Sequence, residues 1–280
     1  MTMSKLPRIM VAPTGARRSV ADHPALPVTI PQIVAEAQHC FAAGAGAIHA
    51  HVRDGDGLHT LDTGLYAELL GELAEAVPEM VVQITTEAVG RYSPEEQRAV
   101  VQALRPAQVS IALREMIAGQ SDAALSRFYR WAAEAGIGVQ HILYTPQEVA
   151  LLEGYVGRGI IPAAELELMF VLGQYGGARD SRPGDLGPYL AERRGAIAEA
   201  GWSACAFGRF ETACLLQALK QGGKARIGFE NNLLNSDGSV APSNAARVAE
   251  LMQAIAAADI AAIPGDGQSR KEPGRGQVSC

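Results

Sequence analysis

The sequence predicts a single (β/α)8 barrel, the TIM-barrel architecture, for three reasons. Short apolar segments alternate with helical patterns of about 10–15 residues, an order typical of parallel sheets built from strand–helix units. Eight such units follow one another without a linker, and eight parallel strands close into a barrel. The length of 280 residues also suits this fold. An open, doubly wound sheet is the alternative, but no GxGxxG motif follows the first strand to support it.

The first four units are delimited by turn and capping residues. The first strand stops at Pro13-Thr-Gly15, and a charged loop that contains proline follows it. Ser93-Pro-Glu-Glu96 forms a capping box with proline at the first helical position, and it starts the third helix. The predicted strands are 8–12, 47–52, 80–85 and 108–112, and the predicted helices are 29–41, 65–76, 93–104 and 121–135.

The last four units follow the same order. A glycine-rich loop over 173–184 follows the sixth strand. The predicted strands are 138–143, 167–172, 202–207 and 224–229, and the predicted helices are 145–156, 187–200, 211–221 and 243–258. We therefore assign 1–263 to the barrel domain and 264–280, which is rich in glycine, proline and charge, to a C-terminal tail. That tail is either disordered or an arm lying on a neighbouring subunit.

Composition and charge restrict the class of protein. With 48% apolar and 19% charged residues the chain is globular, and its net charge of -6 disfavours nucleic acid as a partner. No CxxC pair occurs, so Cys40, Cys205 and Cys214 are interpreted as core thiols, and Cys280 is terminal. The sequence has no apolar run of about 18 residues and no cleavable leader. We therefore expect a soluble, cytoplasmic protein without a membrane association.

Two histidines on the second predicted strand suggest a metal site. His49 and His51 are two positions apart, so their side chains point to one face of a strand, about 7 Å apart. Their neighbours on the strand are all apolar: Ala47, Ile48, Ala50 and Val52. This pattern favours two imidazole ligands on a buried strand, with a third ligand elsewhere. The alternative is a pair of polar residues on a solvated strand face.

The third ligand is predicted at the end of the eighth strand. In a barrel of this kind, catalytic groups come from the C-terminal ends of the strands and the loops after them. Glu230 closes an apolar strand there, and a buried carboxylate needs a cation or a metal. With His49 and His51 it forms a two-histidine, one-glutamate set that leaves a position open, as in catalytic zinc sites. The alternative is an ion pair between Glu230 and Arg226.

Arg226 and Gly228 precede Glu230 at even spacing, so the three residues are expected on one face of the strand. A glycine there would leave room for a ligand. An inward arginine is suited to holding a carboxylate with two hydrogen bonds. A structural salt bridge is the alternative for Arg226.

Further candidates follow from the same rule about strand ends. Polar residues come directly after the first, third and fourth strands: Thr14, Thr85, Glu87, Arg114 and Glu115. On the fifth strand either Gln140 or His141 can face the barrel interior. His23, His39 and His59 are expected to be solvated.

The loop after the sixth strand is a candidate cofactor-binding segment. The backbone amides of Gly173, Gly176 and Gly177 could cradle a phosphate. These glycines could equally serve only to turn the chain.

Four segments together resemble one enzyme family. They are Val11-Ala-Pro-Thr-Gly15, Gly46-Ala-Ile-His-Ala-His-Val-Arg-Asp54, Phe170-Val-Leu-Gly173 with Gly176-Gly177, and Arg226-Ile-Gly-Phe-Glu-Asn231. In this order they resemble the beta-keto acid cleavage enzymes, the family of 3-keto-5-aminohexanoate cleavage enzyme. The resemblance covers residues 8 to about 258.

The resemblance implies a function and a set of roles. Members of the family condense a beta-keto acid with acetyl-CoA and release acetoacetate and a new CoA thioester. They are usually homotetramers, and they hold a Zn2+ ion on residues that correspond to His49, His51 and Glu230. The spacing does not distinguish zinc from nickel, cobalt or iron. We expect Arg226 to orient the substrate or the activating network, and Asn231 and Thr85 to form hydrogen bonds with the substrate.

Several pocket residues depart from the family pattern. Asn231 stands where the family usually has a catalytic Asp, and an amide cannot act as a general base. Arg17 falls where the best-known member has an acidic residue that binds the substrate's ammonium group. Glu87, Glu115 and Gln140 also differ from the usual residues. We therefore predict a small-molecule keto acid substrate other than an amino-keto acid.

Two other functions are kept as alternatives. A metal-dependent hydrolase or lyase is one, although amidohydrolase barrels carry their histidine pair on the first strand rather than the second. A barrel that binds a metal and a metabolite without turnover is the other, and Asn231 is the residue that favours it.

Overall fold

In a computed structural model that describes residues 6–177 and 179–260, eight parallel strands close into a barrel. The first strand pairs with the second and also with the last, so no strand edge of the barrel is left open in the described chain. The predicted (β/α)8 fold is confirmed. The predicted boundary between 263 and 264 and the predicted tail lie outside the described residues.

Ten strands are present in the described residues, eight in the barrel and two in a small hairpin. The barrel strands are β1 (Ile9–Val11), β2 (Ala47–Ala50), β5 (Val81–Thr85), β6 (Gln108–Ala112), β7 (Gly138–Leu143), β8 (Glu167–Leu172), β9 (Gly201–Ala206) and β10 (Lys224–Ile227). The antiparallel hairpin follows β2 directly and consists of β3 (Val52–Arg53) and β4 (His59–Thr60). The hairpin was not predicted from the sequence.

Helices follow the strands and surround the barrel. They are α1 (Ile30–Ala43), α2 (Thr63–Ala76), α3 (Pro94–Leu104), α4 (Leu113–Met116), α5 (Asp122–Glu134), α6 (Pro146–Gly157), α7 (Gly187–Ala191), α8 (Glu211–Lys220) and α9 (Asn244–Ala257). The predicted capping box is confirmed, because Ser93 Oγ accepts from Glu96 N and the Glu96 carboxylate accepts from Ser93 N. Caps of this kind stabilise a helix by about 1 kcal/mol.

Several predicted elements differ in extent from the observed ones, including strand 47–52, which ends at Ala50. The predicted helix 187–200 stops at Ala191, and a separate 3-10 turn, Gly195–Ile197, follows it. Gly195 has φ of 57°, a left-handed backbone conformation that a continuous right-handed helix over 187–200 could not contain. The last strand ends at Ile227 rather than 229, because the next two amides bond to side chains: Gly228 N donates to Glu211 and Phe229 N donates to Asn244.

The apolar core lies between the strands and the surrounding helices, whereas polar side chains fill part of the barrel interior. The thiols of Cys40, Cys205 and Cys214 are free and buried, as predicted for core cysteines. Burial raises the pKa of the Cys214 thiol to about 12. Among the helices of the described chain, none is both long and apolar enough to cross a membrane.

Candidate metal centre and substrate pocket

The two histidines of β2 are buried at the C-terminal end of the barrel. His49 is the third residue of β2, and His51 lies between β2 and the hairpin strand β3. Each is only 1% exposed, so the alternative of a solvated strand face is wrong. The Nε2 atoms of the two rings are 3.1 Å apart and point toward one another.

Glu230 completes the predicted group. Its Oε2 lies 3.6 Å from His49 Nε2 and 3.5 Å from His51 Nε2. One ligand atom from each of the three residues lies within 4.8 Å of the others. The structure therefore brings together the three residues that the sequence pattern selected from strands far apart in the chain.

The backbone around Gly15 leaves room for Glu230. A Cβ atom at Gly15 would lie 2.6 Å from Glu230 Cγ, and φ of this glycine is +64°. Arg53 fixes the same loop, because its guanidinium donates to the carbonyl oxygens of Gly15, Arg18 and Gly57. The position of Glu230 thus explains Gly15, and the loop that contains Gly15 explains Arg53.

Burial and charge give His49 and Glu230 the protonation states that a cation requires. Burial lowers the pKa of His49 to about 3, so its ring is neutral at neutral pH. Burial by itself would raise the pKa of Glu230, but the positive charge of the Arg226 guanidinium outweighs it and holds that pKa well below its usual range. A neutral imidazole and an ionised carboxylate are the forms that bind metals.

The donor set fits a divalent transition metal. Glu230 Oε2 is buried and has no hydrogen-bond partner among the described residues. An ionised oxygen that is buried without a partner is costly unless a cation satisfies it. Two imidazole nitrogens and one carboxylate oxygen suit zinc and also nickel, cobalt or iron.

Glu230 contacts Arg226 as well as His49 and His51. Its Nη2 donates to Glu230 Oε1 at 3.1 Å and also contacts Cys205 Sγ at 3.4 Å. The ion pair that the sequence left as an alternative is present, and it is compatible with a metal because the other oxygen of Glu230 faces the histidines. Within the described chain, Arg226 Nε and Nη1 are buried without hydrogen-bond partners.

The expected role of Gly228 is wrong. The sequence suggested that this glycine leaves room for a ligand. A Cβ atom there would instead lie 2.5 Å from the carbonyl oxygen of Ala12, and φ of Gly228 is +141°. Gly228 is required for the close approach of the chain after β10 to the chain after β1.

A pocket of about 360 Å3 opens beside the candidate metal centre. It contains most of the residues that the sequence selected for the site. Those in its wall are Arg17, His49, Thr85, Glu87, Arg114, Glu115, Gly173, Arg226, Glu230 and Asn231. Two tyrosines that the sequence analysis did not select, Tyr144 and Tyr175, also line it.

Asn231 is the most unusual polar residue of this wall. It is 1% exposed, yet neither Oδ1 nor Nδ2 has a hydrogen-bond partner in the part of the chain that the structure describes. Buried amides are normally hydrogen-bonded, so an unpartnered one in a pocket wall indicates a ligand. Its position directly after Glu230 places it beside the candidate metal centre.

Arg17 and Glu87 lie near one another in the wall. Arg17 Nε is 3.8 Å from Glu87 Oε1, and its side chain is 57% exposed. Its guanidinium also lies 5.6 Å from the centre of the Tyr175 ring. Burial raises the pKa of Glu87. Thr85 Oγ1 accepts a hydrogen bond from Glu87 N and thereby fixes the turn that carries Glu87.

The charged side chains of Arg114 and Glu115 form hydrogen bonds with neighbouring protein groups. Arg114 Nε donates to Glu148 Oε1 at 2.5 Å, and its guanidinium lies over the Tyr144 ring. Glu115 Oε2 accepts from Ala88 N and from Gln97 Nε2.

Besides His51, three predicted site residues lie outside the pocket wall: Thr14, Gly176 and Gly177. Thr14 is fully buried, and its hydroxyl donates to the carbonyl oxygen of Pro27. Gly176 and Gly177 are exposed beyond the pocket, and only Gly173 of the three glycines reaches its wall. The expected contact of Thr14 with a substrate is therefore not supported, since its hydroxyl already has a partner.

Two of the three histidines that were expected to be solvated are buried. His59 is held by the β3–β4 hairpin, where its Nε2 lies 2.9 Å from the carbonyl oxygen of Glu87 and its Nδ1 lies 3.4 Å from His51 Nδ1. His23 is buried too, with Nε2 2.9 Å from the carbonyl oxygen of Ala241. His39 is exposed, as expected.

The fifth barrel strand directs Gln140 to the interior and His141 to the helices. Gln140 accepts from Gln83 Nε2 and donates to Ser203 Oγ inside the barrel. His141 packs against the Tyr129 ring, and burial lowers its pKa to about 4. Gln83 was not selected from the sequence, although a lone amide inside the apolar strand 80–85 is the signal that could have identified it.

A comparison with protein families matches nearly all of the described chain. The model described as beta-keto acid cleavage enzyme matches residues 8–264. The match agrees with the four segments on which the resemblance rested.

Characterised relatives cover the same length. The chain is 28% identical to 3-oxoadipate:acetyl-CoA acetyltransferase of Cupriavidus necator, over 87% of this chain and 86% of the relative. It is 27% identical to 3-keto-5-aminohexanoate cleavage enzyme of Acetoanaerobium sticklandii, over 88% and 90%. It is 28% identical to 3,5-dioxohexanoate:acetyl-CoA acetone transferase of Paraburkholderia graminis, over 88% and 89%.

Solved structures share the fold. ObcA in a binary complex with oxaloacetate superposes with a TM-score of 0.66 at 15% identity, over 84% of this chain. The matched part spans 64% of the ObcA chain, so that protein is considerably longer than the shared barrel. A type I 3-dehydroquinate dehydratase of Clostridium difficile superposes with a TM-score of 0.57 at 10% identity, over 92% and 95%.

Proposed function

Because this chain belongs to the beta-keto acid cleavage enzyme family, we propose that it cleaves a beta-keto acid by acyl exchange with acetyl-CoA. The substrate R–CO–CH2–COOH and acetyl-CoA would give acetoacetate and R–CO–S-CoA. The bond between the keto carbon and the CH2 group breaks, and so does the acetyl thioester bond. The CH2 carbon then bonds to the acetyl carbonyl carbon, and the CoA sulfur bonds to the keto carbon of R–CO. The names of two relatives support the use of acetyl-CoA.

One observation carries this proposal. Three residues in one wall of the pocket have buried polar atoms without hydrogen-bond partners among the described residues: Arg226 Nε and Nη1, Glu230 Oε2, and both amide atoms of Asn231. Folded proteins rarely leave such atoms unpaired. The guanidinium of Arg226, the carboxylate oxygen of Glu230 and the amide of Asn231 therefore lie together in this wall. The guanidinium and the amide can form hydrogen bonds with a keto acid, and the carboxylate oxygen can bind a metal.

His49, His51 and Glu230 would hold the metal, with Zn2+ or another divalent transition metal as the ion. Such a cation supplies Lewis acidity toward a keto or thioester oxygen. The N–H groups of Arg226 that have no partner among the described residues would donate to a substrate oxygen, and a carboxylate is the group that an arginine favours.

Asn231 would hydrogen-bond the substrate but cannot take a proton. The other carboxylates of the pocket wall are Glu87 and Glu115. Because Glu115 Oε2 already accepts two hydrogen bonds, Glu87 is the better candidate for a general base. Burial raises the pKa of both Glu87 and Glu115, which suits proton transfer near neutral pH, so the hydrogen bonds of Glu115 decide between them.

The pocket does not favour an ammonium group on the substrate. Arg17, Arg114 and Arg226 all line it, and Arg17 extends its guanidinium into the exposed part. A cationic substrate would be repelled by the exposed Arg17 charge. We therefore propose a keto acid that lacks an amino group.

Acetyl-CoA would enter along the loop after β8. Gly173, Gln174 and Tyr175 line the pocket, and the exposed Gly176 and Gly177 continue the loop outward. Exposed amides of such a loop can bind phosphate oxygens. Cytoplasmic location and a homotetrameric assembly stay predictions.

The function is tested by incubating the purified protein with acetyl-CoA and a panel of beta-keto acids. Mass spectrometry would detect new CoA thioesters, and a separate assay would detect acetoacetate. We expect at least one dicarboxylic or neutral keto acid to give both products in equal amounts, and His49→Ala to give neither. If no keto acid gives a CoA thioester, the proposed reaction is wrong.

A metabolite-binding protein without turnover is the second candidate, and Asn231 favours it. Calorimetric binding of a keto acid in the absence of any product would support that candidate. A hydrolase or lyase would instead release products without CoA, and the match to the beta-keto acid cleavage family disfavours it.

A further inference from the structure

Gln83 links His49 to the barrel interior through a chain of hydrogen bonds that has only one possible direction. The chain ends at the carbonyl oxygen of Leu168, which can only accept, so Ser203 Oγ donates to it at 3.2 Å. Ser203 Oγ therefore accepts from Gln140 Nε2 at 2.8 Å. Gln140 Oε1 in turn accepts from Gln83 Nε2 at 3.2 Å.

The direction of this chain fixes the proton on His49. Because Gln83 uses its NH2 group toward Gln140, its oxygen is the atom that faces His49. The distance from Gln83 Oε1 to His49 Nδ1 is 2.8 Å. An amide oxygen only accepts, so His49 carries its hydrogen on Nδ1 and has a lone pair on Nε2.

A second chain of hydrogen bonds fixes the proton on His51 in the same way. It ends at the carbonyl oxygen of Glu87, 2.9 Å from His59 Nε2, so His59 donates from Nε2 and has a lone pair on Nδ1. His59 Nδ1 is 3.4 Å from His51 Nδ1. His51 must therefore donate from Nδ1, and its lone pair is also on Nε2.

We propose that Gln83 and His59 are positioning residues that lock His49 and His51 in the tautomers whose Nε2 lone pairs face the metal ion. This inference rests on the metal centre of the proposed function. With both Nε2 atoms as acceptors, 3.1 Å apart and beside the carboxylate of Glu230, three electron pairs converge on one point. A metal ion placed there would satisfy all three acceptors.

Burial strengthens the hold of both hydrogen-bond chains on the two histidine rings. Gln83, His59, Gln140 and Ser203 are all buried, so bulk water does not compete for these hydrogen bonds. A hydrogen bond to the distal nitrogen of a metal-binding imidazole fixes its ring and raises its basicity. The second chain also connects the metal centre to the backbone of Glu87, whose side chain lines the pocket.

The tautomers can be measured directly by NMR in the full-length protein, before and after removal of metal with a chelator. The chain has only six histidines, so selective 15N labelling and single-histidine variants assign each ring. We expect His49 and His51 to carry hydrogen on Nδ1 in the metal-free protein, and Gln83→Leu to shift His49 toward the other tautomer. A wild-type spectrum with hydrogen on Nε2 of either ring would overturn the inference.

Zinc affinity gives a second measurement, made by competition with a chromophoric chelator. We expect Gln83→Leu and His59→Phe to bind zinc about 10–100-fold more weakly. His59→Gln and Gln83→Glu keep an acceptor toward the ligand histidine and should restore most of the affinity. The matched control is His141→Phe, a buried histidine on the helix side of the barrel, which should leave the affinity unchanged. Equal losses in all variants would indicate a merely structural effect and contradict the inference.

The two measurements separate this inference from the proposed function. If the wild type binds no zinc but both rings carry hydrogen on Nδ1, the metal centre fails and the tautomer assignment stands. If zinc binds and either ring carries hydrogen on Nε2 after chelation, the tautomer assignment fails and the metal centre stands. Should Gln83→Leu not fold, the wild-type spectrum still decides.

Discussion

Glu230 and Arg226 form a buried ion pair that uses only one side of the carboxylate. Oε1 of Glu230 lies 3.1 Å from Arg226 Nη2, whereas Oε2 faces the two histidines. The arginine holds the carboxylate in its ionised form and in one orientation. The same residue can therefore hold a metal and belong to a salt bridge.

Replacing one ligand histidine should remove the metal. We expect His49→Ala to lower the bound metal from about one ion per chain to a trace, because two ligands hold a divalent cation poorly. Elemental analysis of the purified protein measures this. His39→Ala is the control, since the His39 side chain is 70% exposed on a helix. Equal metal contents in wild type and His49→Ala would show that His49 is not a ligand.

Neutralising Glu230 should lower the free energy of unfolding and also weaken metal binding. Glu230→Gln leaves the buried Arg226 guanidinium without its counter-charge, which typically costs about 3–5 kcal/mol in the free energy of unfolding. Urea denaturation of metal-free proteins measures this loss apart from the metal. The double variant Arg226→Met with Glu230→Leu removes both charges and should recover most of the stability. A Glu230→Gln variant as stable as the wild type would contradict the buried pair.

Glu87 should control the pH dependence of turnover if it is the base. Its pKa is raised by burial, so the rate should increase with pH through a value above that of an ordinary glutamate. We expect Glu87→Gln to lower kcat by about 10²–10⁴-fold and to abolish this rise. Glu115→Gln is the comparison, because that carboxylate bonds Ala88 and Gln97. An unchanged pH profile in Glu87→Gln would exclude this role.

The sequence predicted correctly those side-chain positions that depend on where a residue lies along a strand. His49, His51 and Glu230 all lie at C-terminal ends of barrel strands, and closing the barrel must bring those ends to one face. The alternation of inward and outward residues also explains why Gln140, rather than His141, enters the interior.

The sequence was uninformative where the outcome depends on distant partners. His59 looked like a loop residue because nothing in its neighbourhood reveals that the β3–β4 hairpin folds back toward Glu87. Thr14 looked like a site residue, but the loop that contains Pro27 takes its hydroxyl. Such contacts are set by tertiary packing, which periodicity does not encode.

Restoring an acid at position 231 should test whether the chain has a fully active site. In Asn231→Asp the new carboxylate would stand directly after Glu230 and line the pocket. If the wild type lacks an efficient base, kcat should rise at least about tenfold, and the rise should appear as the pH increases through the pKa of the new carboxyl group. Steady-state kinetics with the best keto acid measures it. A lower kcat at every pH would show that the Asn231 amide itself is needed.

The loop that carries Glu230 depends on a second buried pair, formed by Glu211 of α8 and Arg247 of α9. Arg247 Nη2 donates to Glu211 Oε2 at 3.0 Å, and both side chains are fully buried. Glu211 also accepts from Gly228 N and Asn232 Nδ2, which lie on either side of Glu230.

Breaking this second pair should therefore affect both stability and the metal centre. We expect Arg247→Met to lower the free energy of unfolding by about 3–5 kcal/mol, because Glu211 would be buried without its counter-charge. It should also weaken zinc binding, although neither residue touches the candidate centre. Arg194→Met, which removes an exposed ion pair with Glu192, is the control and should change the unfolding free energy by less than about 1 kcal/mol. Loss of stability with unchanged zinc affinity would show that Glu211 supports the fold but not the position of Glu230.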